Sequence, residues 1–161
     1  MAWARNGTPD TLSGAGDTVT ISDMSANKFN QFLAHSIESS ANILMEFRFN
    51  NNSNNVYAKR HNYDGGGEGT SVNTNSVSAQ LNYYGEFFWV SYFCSISGEE
   101  KLGIMFNVAR NTAGAGYAPG REEYVYKFVP SPDADITRID GINESTGDFA
   151  AGTNLTTIGT D

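Results

Sequence analysis

His35 and His61 are the only histidines in this chain of 161 residues, and Cys94 is its only cysteine. The histidines lie far apart, and neither belongs to a spacing such as His-x-x-x-His that would place two metal ligands side by side. Cys94 falls inside the most apolar run, so the expected role is a small buried hydrophobe, not a nucleophile. There is no Gly-x-Ser-x-Gly elbow. The glycines of residues 114–120 have the wrong spacing for a dinucleotide loop, and those of 65–69 lack the Lys-Ser/Thr of a phosphate loop. Glu99-Glu100 and Glu122-Glu123 supply paired carboxylates. Neighbours in a strand face opposite ways, however, and a glycosidase needs its two carboxyls across a cleft. The expectation is a protein that is not an enzyme and holds no cofactor. Asp64 with Glu68, or Asp133 with Asp135, offer the hard oxygens that calcium takes. Acids in polar loops are ordinarily just hydrated, and no metal site is assigned.

Tyr57, Tyr63, Tyr83, Tyr84, Tyr117, Tyr124 and Tyr126 are numerous for the length. Tyrosine rings beside Asn and Asp make stacking platforms for sugars, and residues 50–64 hold all three types. Asn55, Tyr57 and Asp64 are therefore a candidate ligand-binding loop. The competing reading places tyrosines at sheet rims and subunit contacts, where an amphipathic ring suits half-burial. On that reading, which is preferred, Tyr63, Tyr117 and Tyr124, with Trp3 near the start, are contacts to other copies or to a larger shell.

A formal net charge of −8 and a pI near 4.6 argue against sequence-independent binding to nucleic acid, which needs Lys and Arg against phosphate. One cysteine permits no intrachain disulfide, so packing alone must hold the fold. Residues 1–7 contain no signal-peptide-like apolar region, and no run approaches membrane-spanning length. Folding in a cytoplasm, away from membranes, is the expectation. Asn-x-Ser/Thr triplets at Asn6, Asn51, Asn143 and Asn154 are what chance gives in a chain this rich in Asn, Ser and Thr.

Charged residues make up only 17% of the chain, and Asn, Ser, Thr and 17 glycines stand in their place. Such residues favour turns and β surfaces over helix interiors, and the 12% aromatic share suits strands. The spine is the run 86–96, with Phe87, Trp89, Ser91 and Phe93 on one side and Phe88, Val90, Tyr92, Cys94 and Ile96 on the other. A strand apolar on both sides is expected to be covered on both sides. Residues 97–100 then turn the chain into a second apolar run, 102–108, which makes an aromatic hairpin. Alternation also predicts strands over 17–21, 42–49, 56–61, 122–129, 136–142 and 155–158, with one more inside 70–84. Phe29, Phe32 and Leu33 fit a short helix as well as a bulged strand. Residues 2–6 read as a short strand or an arm anchored by Trp3. The stretches 50–55, 64–69 and 111–120 are polar, glycine-rich turns and loops. The sum is an all-β chain: residues 1–16 an arm with turns, and 17–161 a single jelly-roll-like antiparallel β-sandwich of about eight to ten strands.

The segment 47–60 with its trailing glycine loop resembles small structural proteins of marine tailed bacteriophages. The same is true of 97–103, 113–123 and the closing run 136–159. The likeness covers most of the chain, and its motifs are turns and strand edges. It implies a virion structural protein, such as a capsid decoration or cement protein, that assembles as a symmetric homo-oligomer with a trimer favoured. The partners it implies are other virion proteins such as the major capsid protein, and the place it implies is the virion surface, after assembly in the host cytoplasm. A carbohydrate- or receptor-binding module of a fibre or spike is the alternative. The resemblance carries no catalytic residues.

Overall fold

Two-residue alternation governs the burial of nearly every regular element. The computed structural model describes residues 2–39, 42–78, 86–110, 112–130 and 134–161, which contain thirteen strands. These are β1 (Ala4–Arg5), β2 (Asp10–Thr11), β3 (Thr18–Ile21), β4 (Phe29–Ser36), β5 (Met45–Phe49), β6 (Tyr57–Tyr63) and β7 (Glu68–Thr74). There follow β8 (Val77–Ser78), β9 (Phe87–Cys94), β10 (Lys101–Ala109), β11 (Gly120–Phe128), β12 (Ile139–Asn143) and β13 (Asn154–Thr160). Ten have four residues or more, and β1, β2 and β8 are ribbons of two. The expected all-β antiparallel sandwich is what the chain forms, with sheets of unequal size. The large sheet has nine strands in the order β1-β13-β4-β9-β10-β11-β6-β7, with β2 also on β13. The small sheet has four, in the order β3-β12-β5-β8. Tyr83, Tyr84 and Asp133 lie outside the described residues.

The core fills the space between the sheets. Phe47 and Phe49 project from β5 of the small sheet. Phe47 lies 4.6 Å from Phe32 of β4 and edge-on to Trp89 of β9 at 5.5 Å between ring centroids. Phe49 meets Phe93, Tyr126 and Phe128 at 5.5–5.8 Å. Such tilted and edge-on ring pairs add about 0.5–1.5 kcal/mol each beyond their area burial. Tyr126 bonds through its hydroxyl to that of Ser91 at 2.8 Å, which satisfies both polar atoms inside the core. The segment that could have been a helix is β4, paired along its length with β9 and β13. Its Phe32 and Ala34 point inward and Leu33 outward, so pairing on both edges decides the conformation.

The N-terminal segment is held along β13. Ala4 and Arg5 pair with Gly159 and Ile158, and Asp10 and Thr11 pair with Leu155 and Asn154. Between them, Asn6 is buried and its side chain works in both directions. Its Nδ2 donates to Asn30 Oδ1 at 2.8 Å and to the Ser25 carbonyl at 3.1 Å, and its Oδ1 accepts from the Ser25 amide at 2.7 Å.

One expectation is corrected here. β9 is central in its sheet, yet only its Phe87–Trp89–Ser91–Phe93 side is buried by the chain itself. Phe88 and Tyr92 are exposed, and Cys94 is half-buried on that same outer side. The small sheet lies against a single face of the large one, and no described element covers the other.

Gly103 provides a sharp test of the packing. It stands opposite Tyr126 in the β10–β11 ladder, and a Cβ there would run into that ring. Gly103→Ala is expected to destabilise the fold by about 1–3 kcal/mol through overpacking. Gly116→Ala, where a Cβ meets nothing within 4 Å, should be close to neutral. Equal melting temperatures for the two variants would contradict this packing.

Candidate functional site

The outer face of the large sheet has an unusual composition. Alternation along β9 and β10 brings Phe88, Val90, Tyr92 and Cys94 to the same side as Leu102, Ile104, Phe106 and Val108. The register lines them up across the pair: Cys94 with Leu102, Tyr92 with Ile104, Val90 with Phe106 and Phe88 with Val108. Val125 extends the band onto β11 beside Ile104, Val72 onto β7 and Phe29 onto β4. Trp3 shares a groove with Phe29, Tyr92 and Leu102. Ten large apolar side chains here, Trp3, Phe29, Val72, Phe88, Tyr92, Leu102, Ile104, Phe106, Val108 and Val125, are 40–63% exposed. With roughly 150–250 Å² on an aromatic side chain, that leaves on the order of 100 Å² on each of the five aromatics and less on each of the five aliphatics, about 800 Å² together. The largest apolar patch on a typical monomer is roughly 300–600 Å².

Charged side chains flank this band in pairs. Arg60 pairs with Glu68, Arg121 with Glu123 at 3.7 Å, Lys127 with Glu100 at 2.9 Å and Arg110 with Glu86 at 2.9 Å. Glu86 also lies 3.3 Å from Nε2 of His35. Such exposed pairs contribute at most about 1 kcal/mol each to the fold. Their larger effect is to cancel charge around an apolar surface.

The inner face carries a different kind of cluster. Glu122 on β11 is 0% exposed. Its Oε2 accepts from Asn107 Nδ2 at 3.1 Å and from the Tyr124 hydroxyl, while Oε1 has no partner among the described residues. Burial pushes its carboxyl up to about 8, against the lowering effect of the Tyr124 hydroxyl and of Lys59. Burial also pulls Lys59 and His61 below their ordinary values, with Lys59 adding to the effect on His61. A neutral Glu122 is what lets an oxygen without a donor stay buried.

The residues expected at a site are distributed over both faces and both ends. Tyr124 is buried between the sheets, 6.5 Å from Trp89, so it is not a contact residue. Tyr57 is also in the core, its hydroxyl accepting from the Phe49 amide at 3.0 Å and donating to the Asn52 carbonyl at 2.9 Å. Tyr63 is half-buried beside His61, at 4.9 Å between ring centroids. Tyr117 is 63% exposed in the β10–β11 loop. Asn55 and Asp64 are exposed beyond opposite ends of β6, whose seven residues span about 20 Å at 3.3 Å per residue. Asp64 Oδ1 accepts from the Arg121 amide at 2.8 Å, and Glu68 is taken by Arg60. Asn55, Tyr57 and Asp64 therefore do not form one platform. Among the described residues no group of three His, Cys, Asp or Glu side chains is placed to hold a metal ion. Of the expected contacts only Trp3 reaches the apolar face. The rest of that face was visible in the two-sided alternation of 86–96 and 102–108.

The chain matches no protein-family model, no curated protein and no solved structure.

Glu122 gives a signed pH dependence. Its folded value of about 8 lies above an unfolded value near 4.5, so between these the folded chain holds the extra proton. Its contribution to stability is fully present below about pH 4.5 and lost as pH rises to about 8, by no more than about 4–5 kcal/mol. His61 acts oppositely, since its depressed value favours the fold as pH rises towards the ordinary imidazole range. Subtracting a Glu122→Gln variant isolates the acid. Urea unfolding from pH 5 to 8 should show the parent losing stability relative to the variant, and parallel curves would exclude a neutral buried Glu122.

Proposed function

We propose that this chain is a structural subunit of a virion, a decoration or cement module that assembles through the outer face of its large sheet and has no catalytic role. The observation that carries the reading is that face: about 800 Å² of exposed apolar side chain, comparable with the roughly 800 Å² buried per partner in a stable protein interface. An apolar band with a charged, mutually neutralised rim has the anatomy of a docking surface. The resemblance to structural proteins of marine tailed bacteriophages supports the setting. Its segments correspond to the β5–β6 connection, the β9–β10 turn, the β10–β11 loop and the β12–β13 region. In this reading the chain sits on the particle as a symmetric oligomer, against other virion proteins such as the major capsid protein. Trp3 at one end of the band is the principal aromatic anchor.

Mass spectrometry and imaging of purified particles test the reading directly, and the protein is expected at the particle surface in stoichiometric amounts. Trp3→Ala should weaken assembly by about 1–2 kcal/mol, as truncation of a large interface aromatic does, without changing the melting temperature. Tyr117→Ala, in a loop beyond the opposite end of the band, should leave assembly unchanged. Absence of the protein from particles would refute the proposal, and so would glycan binding abolished by Tyr117→Ala in a chain that attaches normally.

A further inference from the structure

We propose that the outer face of the large sheet is covered by a second copy of this chain, packed face to face about a two-fold axis. The inference rests on reading that face as a docking surface and names its occupant. Charge is the first argument. The chain has 10 basic and 18 acidic residues, a net −8. Around the band, Arg60, Arg110, Arg121 and Lys127 are matched one for one by Glu68, Glu86, Glu123 and Glu100. Lys28, whose Nζ lies 5.4 Å from the Phe29 ring centroid, and Arg5 on β1 add positive charge at the other border. An acidic chain thus presents one surface that is not acidic, and there a second copy meets no repulsion. A strongly basic partner would need an excess of acids, which this face lacks.

Symmetry is the second argument. A two-fold contact must be self-complementary. Here an apolar band along β9 and β10 runs through the middle, with paired charges on the β11 side and Lys28 and Arg5 on the β4 side, so a half-turn about its centre lays apolar on apolar and brings no acidic excess against another. The area is the third. About 800 Å² of exposed apolar side chain per copy is comparable with the roughly 800 Å² per partner that a stable interface buries. Two sheets stacked about 10 Å apart repeat the spacing of an ordinary sandwich. The pair would be four layers deep, with the small sheets outermost. Cys94 lies within the covered area, beside Tyr92 and Leu102.

Sedimentation equilibrium of the full chain at micromolar concentration, with labelling of the native protein by a thiol reagent, tests this. The parent should have twice the chain mass. Ile104→Arg, a change at a half-exposed site in the centre of the band, should halve it while leaving circular dichroism and melting native-like. Cys94 should label several-fold faster in that variant than in the parent. Val108→Lys serves in the same way if Ile104→Arg does not fold. A monomeric parent, a trimer, or a pair that both substitutions leave intact overturns the face-to-face stack. A monomer whose attachment to particles is lost with Ile104→Arg overturns the self-stack and keeps the docking surface. A pair that never joins particles keeps the stack and removes the virion role.

Discussion

The structure turns on one imbalance: the large sheet is apolar on both faces, and the chain has a second sheet for only one of them. Apolar surface is driven out of water roughly in proportion to its area, without regard to which molecule covers it. On the inner side, Phe47 and Phe49 of the small sheet meet this demand, drawing Phe32, Trp89, Phe93 and Phe128 into one core. On the outer side, the same strands present Phe88, Tyr92, Ile104 and Phe106, for which the described residues offer no further strand. One alternating pattern therefore produces both the core and an exposed apolar surface.

The two sides handle charge in opposite ways, and the difference follows from water. Between the sheets, Glu122 has Asn107, Tyr124 and Lys59 around it, and neutrality lets it remain. Removing its proton would put a charge where desolvation is not offset. Outside, Arg60, Arg121 and Lys127 keep their charges in water and are paired at the edges of the band. These pairs contribute little to folding. Their position fits a rim, which sets register and excludes wrong partners more than it sets affinity.

Much of the fold was legible in the sequence because period-two alternation is so regular here. The runs that became β5, β9, β10 and β11 each place one set of side chains inward without exception or nearly so. What alternation does not reveal is which set has a cover within the same chain, and Cys94 was misplaced for that reason. Tyr57 and Tyr124 failed as surface residues for a related one, since a tyrosine pattern does not say whether the hydroxyl finds a partner inside. Tyr57 finds the Phe49 amide and the Asn52 carbonyl across the connection that carries the chain from β5 of the small sheet to β6 of the large one. Asn55 and Asp64 look like neighbours along the sequence, but an extended strand between them puts them at opposite ends. The segment that became β4 fits helical spacing as well, because spacing ignores the two flanking strands that claim its backbone.

A sheet that exposes apolar side chains and ends in edge strands runs the risk of uncontrolled growth, because edges recruit further strands. β7 forms one such edge, with Val72 exposed and Glu68 the only charge within it. The net charge of −8 opposes indiscriminate approach of copies, and the paired rim lowers that repulsion at the band. On the proposed pairing, growth is channelled into stacking of faces. A face-to-face pair consumes the band of each copy once, so it closes on itself and leaves nothing apolar to extend it. What remains outward is the small sheet with its polar side, Arg48 paired to Glu144 and Arg138 to Asp140. Such a surface is suited to facing water, and in the proposed pair the same imbalance between the sheets that favours assembly also makes it finite.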